Sequence, residues 1–254
     1  MSFLPPNKHR AKVAFATAAM GALGVATALS NTPGIAATAF AAATVFSWLF
    51  RKVGQKDIEF RRFTHNRKFS ENDDSFGGLL FSFQDFKKGT QELSDKSHMV
   101  HPELLLSDES GNLAYMRHNT LVICSEKFKE HGTTSLEDVL SVTAHEMAHI
   151  KARDTFLYGY CFGLTSAMCT ISLISPSLAN TLATAGTLAL FSYINHNKEL
   201  SADTEGAKMS GSTKGAINVL SARINHGSGK ASFFHPSDRS RIENLQSLDL
   251  DSPG

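Results

Sequence analysis

Two long runs without a charged side chain constrain this sequence more than any other feature. No Asp, Glu, Lys or Arg occurs from Val13 to Phe50 or from Thr155 to Asn197, stretches of 38 and 43 residues. All 49 charged side chains fall in the other 173 residues, about 28% of them, as on an ordinary soluble surface. Each run is about twice the ~20 residues that cross a ~30 Å hydrocarbon layer as helix. Each also breaks near its middle, the first at Asn31-Thr32-Pro33 and the second at Pro176. Proline lacks an amide donor and disfavours helix in the residue before it, so both breaks read as hairpin tips. The expected organisation is a transmembrane hairpin over 1–50, a soluble part over 51–154, a second hairpin over 155–194 and a return to the soluble part over 195–254.

The flanks set the sidedness. Lys8, Arg10 and Lys12 precede the first run, and 51–68 holds seven Lys/Arg against Asp57 and Glu59. Basic flanks stay on the cytoplasmic side, so both hairpins should begin and end there and the soluble part should face the cytoplasm. Three cysteines, Cys124, Cys161 and Cys169, form no disulfide framework, in keeping with a reducing compartment. A formal net charge of +1 carries no electrostatic signature of a nucleic-acid partner. Other readings compete with this one. Lys8–Ser30 has the basic and apolar regions of a secretory signal, but a second apolar segment and a basic cluster follow it. An organellar targeting segment would need more Arg. The second run, with its frequent Thr and Ser, also fits buried core helices. Ala183, Gly186 and Ala189 would suit close helix packing in lipid.

Between the runs, Glu103–Ser107, Asn112–Met116 and Thr120–Cys124 read as short strands parted by turn signals. Ser135, with Asp138 three residues on, reads as a helix start. Leu136, Val139, Leu140, Thr143, Ala144 and Met147 follow at helical spacing. The fold class expected is mainly α with a small β-sheet (α+β), together with two transmembrane helical hairpins.

The predicted helix carries His145-Glu146-Met147-Ala148-His149, an H-E-x-x-H motif. Positions i and i+4 share a helix face ~5–6 Å apart, so both imidazoles can reach one ion. Glu146 sits one step around, where it can take a proton from a water at that ion. Catalytic zinc needs a third protein ligand. The next suitable donors are Glu199 and Asp203, which share a face if 199–203 is helical. One carboxylate can bind metal while the other accepts a hydrogen bond from a ligand imidazole. The bland alternative is a solvated pair at the end of a membrane helix. Downstream, His235-Pro236 and Arg241 could supply a proton donor and a cation for a developing oxyanion or a substrate carbonyl.

These ordered motifs resemble the HtpX-like membrane metallopeptidases, relatives of the CAAX prenyl proteases. The resemblance rests on the N-terminal double span, Ala144–Ile150 followed by Arg153-Asp154-Thr155, the second hairpin, Glu199-Leu200-Ser201-Ala202-Asp203, and His235-Pro236 with Arg241-Ile242. It implies one zinc ion per chain held by His145, His149 and Glu199, with Glu146 as general base and Asp203 as the carboxylate behind a ligand. It assigns His235 to the transition state and Arg241 to the substrate side. It further implies an edge strand that pairs with substrate backbone, here Asn112–Met116, with Asn112 as a substrate-binding residue. Relatives usually carry alanine next and a later Gly-Gly turn, where this chain has Leu113 and His118-Asn119. The implied fold is a zincin-type metallopeptidase domain carried by the two transmembrane helical hairpins, and the implied activity a zinc-dependent endopeptidase of the inner (cytoplasmic) membrane. Its substrates would be proteins or peptides, membrane proteins above all, in quality control or stress response, and its other partner the lipid bilayer. A CAAX-type prenyl-protein protease would call for more than four spans, and a non-catalytic zinc scaffold would need neither Glu146 nor His235. His98 and His101 read as surface residues, and Cys161 and Cys169 as buried small hydrophobes. Phe63, Phe69, Phe76, Phe81, Phe83 and Phe86 read as packing groups or membrane-surface contacts.

Overall fold

The helix bearing the H-E-x-x-H motif begins at the cap read from the sequence: the Ser135 hydroxyl accepts from the Asp138 amide at 3.1 Å. The structure, a computed structural model, describes residues 7–38, 41, 43–45, 48, 66–67, 78–107, 113–117, 119–248 and 250. In chain order the helices are α1 (Lys8–Leu29), α2 (Phe83–Ser97), α3 (Ser125–Glu130), α4 (Leu136–Lys151), α5 (Asp154–Ile174), α6 (Leu178–Ser210), α7 (Lys214–Asn225) and α8 (Asp238–Gln246). The strands are β1 (Asn66–Arg67), β2 (Glu103–Ser107), β3 (Ala114–Arg117) and β4 (Thr120–Ile123). Two compact units result, Met1–Asp57 with Arg153–Lys198, and Ile58–Ala152 with Glu199–Gly254. The boundary falls inside α6, which continues past the end of the charge-free run without a break.

In the unit holding the motif, the sheet order is β1-β2-β4-β3, with β2 and β4 parallel and the other pairs antiparallel. β3 therefore forms an edge. It starts at Ala114, two residues later than expected, although the Leu113 carbonyl still accepts from the Cys124 amide at 2.9 Å. Asn112 lies outside the described residues. The core joins Val139, Ala144, Met147 and Ala148 of α4 to Met116, Leu121 and Ile123 of the sheet, Phe86 and Leu93 of α2, and Ala202 and Met209 of α6. Phe81, Phe83 and Phe86 are core groups; Phe63, Phe69 and Phe76 lie outside the described residues. α2 begins with a capping box between Ser82 and Asp85, and ends at exposed His98 in the left-handed region, φ 56°.

In the other unit, Val13, Ala16 and Met20 of α1 pack with Cys161 of α5 and with Phe191 and Ile194 of α6. Polar pairs tie the helices together. Arg10 Nη1 donates to Asp154 Oδ1 at 2.8 Å, His9 Nδ1 lies 3.1 Å from Asn197 Oδ1, and the Asn31 and Asn180 amides pair at 3.3 Å. Of the small residues on α6, Ala183 and Gly186 lie at helix contacts, whereas Ala189 is exposed. Among the described residues, two helices are long and apolar enough to cross a membrane, Lys8–Leu29 and Phe156–Ile174. The first part of α6 falls short because Asn180, Thr181, Thr184, Thr187, Ser192 and Asn195 dilute it.

One packing contact carries a pH prediction. His131, after α3, meets His226, after α7, edge to face with ring centroids 5.0 Å apart. Burial, then the facing His226, lowers the His131 pKa; Lys127 and Arg223 act the same way and Glu130 opposes them. Above about pH 6.5 the ring is neutral folded or unfolded. As the pH drops below that value the unfolded chain takes the proton first, so stability is lost as the pH falls toward the folded value. Between pH 7 and pH 5 wild type is therefore expected to lose Tm relative to His226→Ala. Parallel Tm profiles for the two proteins over that range would mean that the facing rings do not set the His131 titration.

Candidate metal centre

Three helices and one loop bring together the sequence-predicted site residues other than Asn112, which lies outside the described residues. α4 presents His145 and His149 one turn apart, with their rings at 89° and centroids 4.6 Å apart. α6 presents Glu199 and, one turn on, Asp203. The distances decide which carboxylate faces the imidazoles' outer nitrogens. His145 Nε2 lies 3.1 Å from His149 Nε2 and 3.6 Å from Glu199 Oε2, and His149 Nε2 lies 3.4 Å from Glu199 Oε1. Ligands at ~2.05 Å in a tetrahedron stand about 3.3 Å apart, so two imidazoles at this separation, each facing a different oxygen of the Glu199 carboxylate, are close enough to share one zinc-sized ion. Among the described residues this trio is the one grouping of three or more such donors close enough to share an ion. The donor set, two nitrogens and a carboxylate, fits zinc.

Asp203 serves the inner side of the same ring. Its Oδ1 lies 2.9 Å from His145 Nδ1. A proton on Nδ1 donated to that carboxylate leaves the Nε2 lone pair free toward Glu199 and His149, the form a ligand needs. Arg241, on α8, closes the back of the arrangement: Nε donates to Asp203 Oδ2 at 2.8 Å and Nη2 to Oδ1 at 2.6 Å. It is only 8% exposed, and its third nitrogen, Nη1, lies 3.9 Å from Glu199 Oε2. Burial alone would raise the Asp203 carboxyl, but Arg241 and then His145 overcome it and hold it at about 2. Burial likewise opposes charge on Glu199, yet hydrogen bonding to His145, His149 and His235 keeps it well below the ordinary carboxylate range. Both acids are thus held as anions.

His235 stands on the open side, its side chain 61% exposed, with Nδ1 3.4 Å from Glu199 Oε2. A turn fixes it. The Ser232 amide donates to the His235 carbonyl at 2.8 Å, and the His235 amide donates to the Ser232 hydroxyl at 3.1 Å. Pro236 is buried, and Ser237 caps α8 through the Ser240 amide, so Arg241 falls one turn inside that helix. Glu146 is half-buried beside His145 on α4.

Other residues have no role in the sequence reading. Asn244 Nδ2 donates to the Leu200 carbonyl and the Thr204 hydroxyl, each at 3.2 Å, and so binds α8 along the turn that bears Glu199 and Asp203. Arg223 Nε pairs with Asp238 Oδ2 at 3.1 Å, and the Asp238 amide donates to the Gly229 carbonyl at 2.9 Å, fixing where α8 begins. Neither spacing carries a signal, because both contacts join segments remote in the chain.

The family model described as Peptidase family M48 matches residues 82–249, about two thirds of the chain, including every residue of the cluster just described. No curated protein and no solved structure matches.

Proposed function

The chain belongs to peptidase family M48 and is a metallopeptidase, and from that premise we propose that it is a zinc endopeptidase anchored in the cytoplasmic membrane. The observation that carries the chemistry is the triangle of two imidazole nitrogens and one carboxylate, spaced at 3.1 to 3.6 Å for a single ion. His145, His149 and Glu199 are the ligands in this reading. Zinc, when bound, supplies Lewis acidity that polarises the scissile carbonyl and acidifies water. Glu146 takes the proton of the attacking water and later delivers it to the leaving amine. His235, exposed beside Glu199, donates to the developing oxyanion. Asp203 keeps His145 in its ligating tautomer, and Arg241 keeps Asp203 ionised; Arg241 Nη1, 3.9 Å from Glu199 Oε2 and from Asp238 Oδ1, is the nitrogen that turns to a substrate carbonyl. The edge strand β3 takes the substrate backbone as an added strand, and Asn112, two residues ahead of it in the sequence, binds that substrate.

The membrane reading rests on the two apolar helices and on what they expose. Phe15, Val25 and Leu29 on α1, and Phe156 and Leu173 on α5, are each at least 60% exposed. Such a surface is unfavourable in water and suited to lipid. Together with the basic flanks it supports two hairpins of the inner membrane that enter and leave on the cytoplasmic side. A protease so tethered meets substrate in two dimensions, which favours membrane proteins and their exposed tails, as in quality control or a stress response.

The deciding experiment uses the full chain in detergent with casein as substrate. Phenanthroline should abolish cleavage, and added zinc should restore it. Protein that binds zinc stoichiometrically yet never cleaves would overturn the enzymatic reading in favour of a scaffold. Cleavage indifferent to chelation would overturn the metal.

A further inference from the structure

We propose that Gly206 is a positioning residue for the metal centre: its missing side chain sets the approach of α6 to α4, and thereby the distance of Glu199 and Asp203 from His145. A Cβ added at 206 would lie 2.9 Å from the His145 amide nitrogen and 3.1 Å from both the Ala144 carbonyl carbon and the His145 Cα. All three obstacles are backbone atoms of the motif helix, and no rotamer change can move them aside. Gly206 also follows Glu199 by seven residues and Asp203 by three, so all three share one face of α6. The face that supplies the carboxylates therefore touches the backbone of the residue they serve. At an ordinary φ, glycine is needed here only for the closeness of the two backbones.

The geometry leaves little slack. Glu199 Oε2 is already 3.6 Å from His145 Nε2, the longest edge of the triangle, while Asp203 Oδ1 is 2.9 Å from Nδ1. A methyl group at 206 must lift α6 by a few tenths of an ångström or tilt it. Either movement stretches the carboxylate contacts while leaving His145 and His149, which share α4, in register. The expected consequence is a weakened third ligand with both imidazoles intact.

A second glycine separates this from general destabilisation. Gly215, on α7, is more tightly placed: a Cβ there would lie 2.6 Å from the Glu137 carbonyl oxygen, at the far end of α4 from His149. Gly215→Ala should lower Tm at least as much as Gly206→Ala while leaving zinc affinity at the wild-type level.

The inference rests on the metal site proposed above. The test measures zinc dissociation constants for full-length wild type, Gly206→Ala and Gly215→Ala, with the visible spectrum of the cobalt-substituted forms as a report on ligand geometry. Gly206→Ala should weaken zinc by about 10–100-fold, the range for disturbing the groups behind a ligand, and should alter the cobalt bands; Gly215→Ala should do neither. Wild-type zinc affinity and cobalt bands in Gly206→Ala would overturn the inference, as would equal weakening in the two variants. If Gly206→Ala is recovered only unfolded, its refolding yield is followed against zinc: a midpoint raised above that of wild type supports the role, and a yield indifferent to zinc overturns it. Wild-type protein that bound no zinc would instead sink the metal site itself.

Discussion

Glu146→Gln is expected to reduce peptide cleavage by about 10²–10⁴-fold while zinc remains bound at wild-type affinity and stoichiometry. The two halves of that expectation have separate structural origins. The three close donors, His145, His149 and Glu199, do not include Glu146. The amide in its place would keep the shape and polarity of the side chain but could not accept a proton from water, so the loss would fall on kcat. Replacing Glu199 by Gln should behave in the opposite sense. It removes the anionic donor that lies 3.4 Å from His149 and 3.6 Å from His145, so zinc and activity are lost together. Metal analysis beside casein cleavage on the same preparations separates the two. Wild-type cleavage by Glu146→Gln would remove it as general base, and zinc lost from that variant would instead make it a ligand.

How far such a site can be read from sequence depends on whether its parts are local. Ser135, Asp138 and the apolar spacing from Leu136 to Met147 are local signals, and α4 begins where they place it. His145 and His149 then share a face by geometry alone. The strands over 103–107 and 120–123 are equally local, bounded by turn residues. Matters change at Asn197-Lys198-Glu199. Hydropathy drops there and suggests an end to the second hairpin, yet helical hydrogen bonding ignores polarity and α6 runs unbroken to Ser210. The choice between Glu199 and Asp203 is likewise open from spacing, because both lie on the face toward α4. Depth separates the two in the fold: Asp203 is 4% exposed and meets the inner ring nitrogen, and Glu199 meets the outer ones. The place of Arg241 is out of reach for the same reason. Its distance from His235 in the chain says nothing of where its guanidinium ends, which is on Asp203, 38 residues away in sequence.

That pair yields the largest effect expected on stability. Arg241→Met should lower the stability of the metal-free protein by about 3–5 kcal/mol, the cost of leaving one charge of a buried pair without its partner. For a chain of this size that is a Tm loss of about 6–20 °C. The pair is almost closed to water, with Asp203 at 4% and Arg241 at 8% exposure, and two parallel hydrogen bonds join them. With the guanidinium gone, burial of Asp203 goes uncompensated except by His145, and its carboxyl shifts upward toward the neutral form. A neutral Asp203 accepts more weakly from His145 Nδ1, so zinc affinity should fall with stability. The double variant Asp203→Asn/Arg241→Met distinguishes the two losses. It leaves no buried charge unpaired and should recover much of the Tm, but it restores no anion behind His145 and should not recover zinc affinity. Thermal melts with and without zinc, on wild type, both single variants and the double, measure this coupling. An Arg241→Met protein melting within a degree of wild type would mean that Asp203 finds another partner, and the role given to Arg241 would pass to that group.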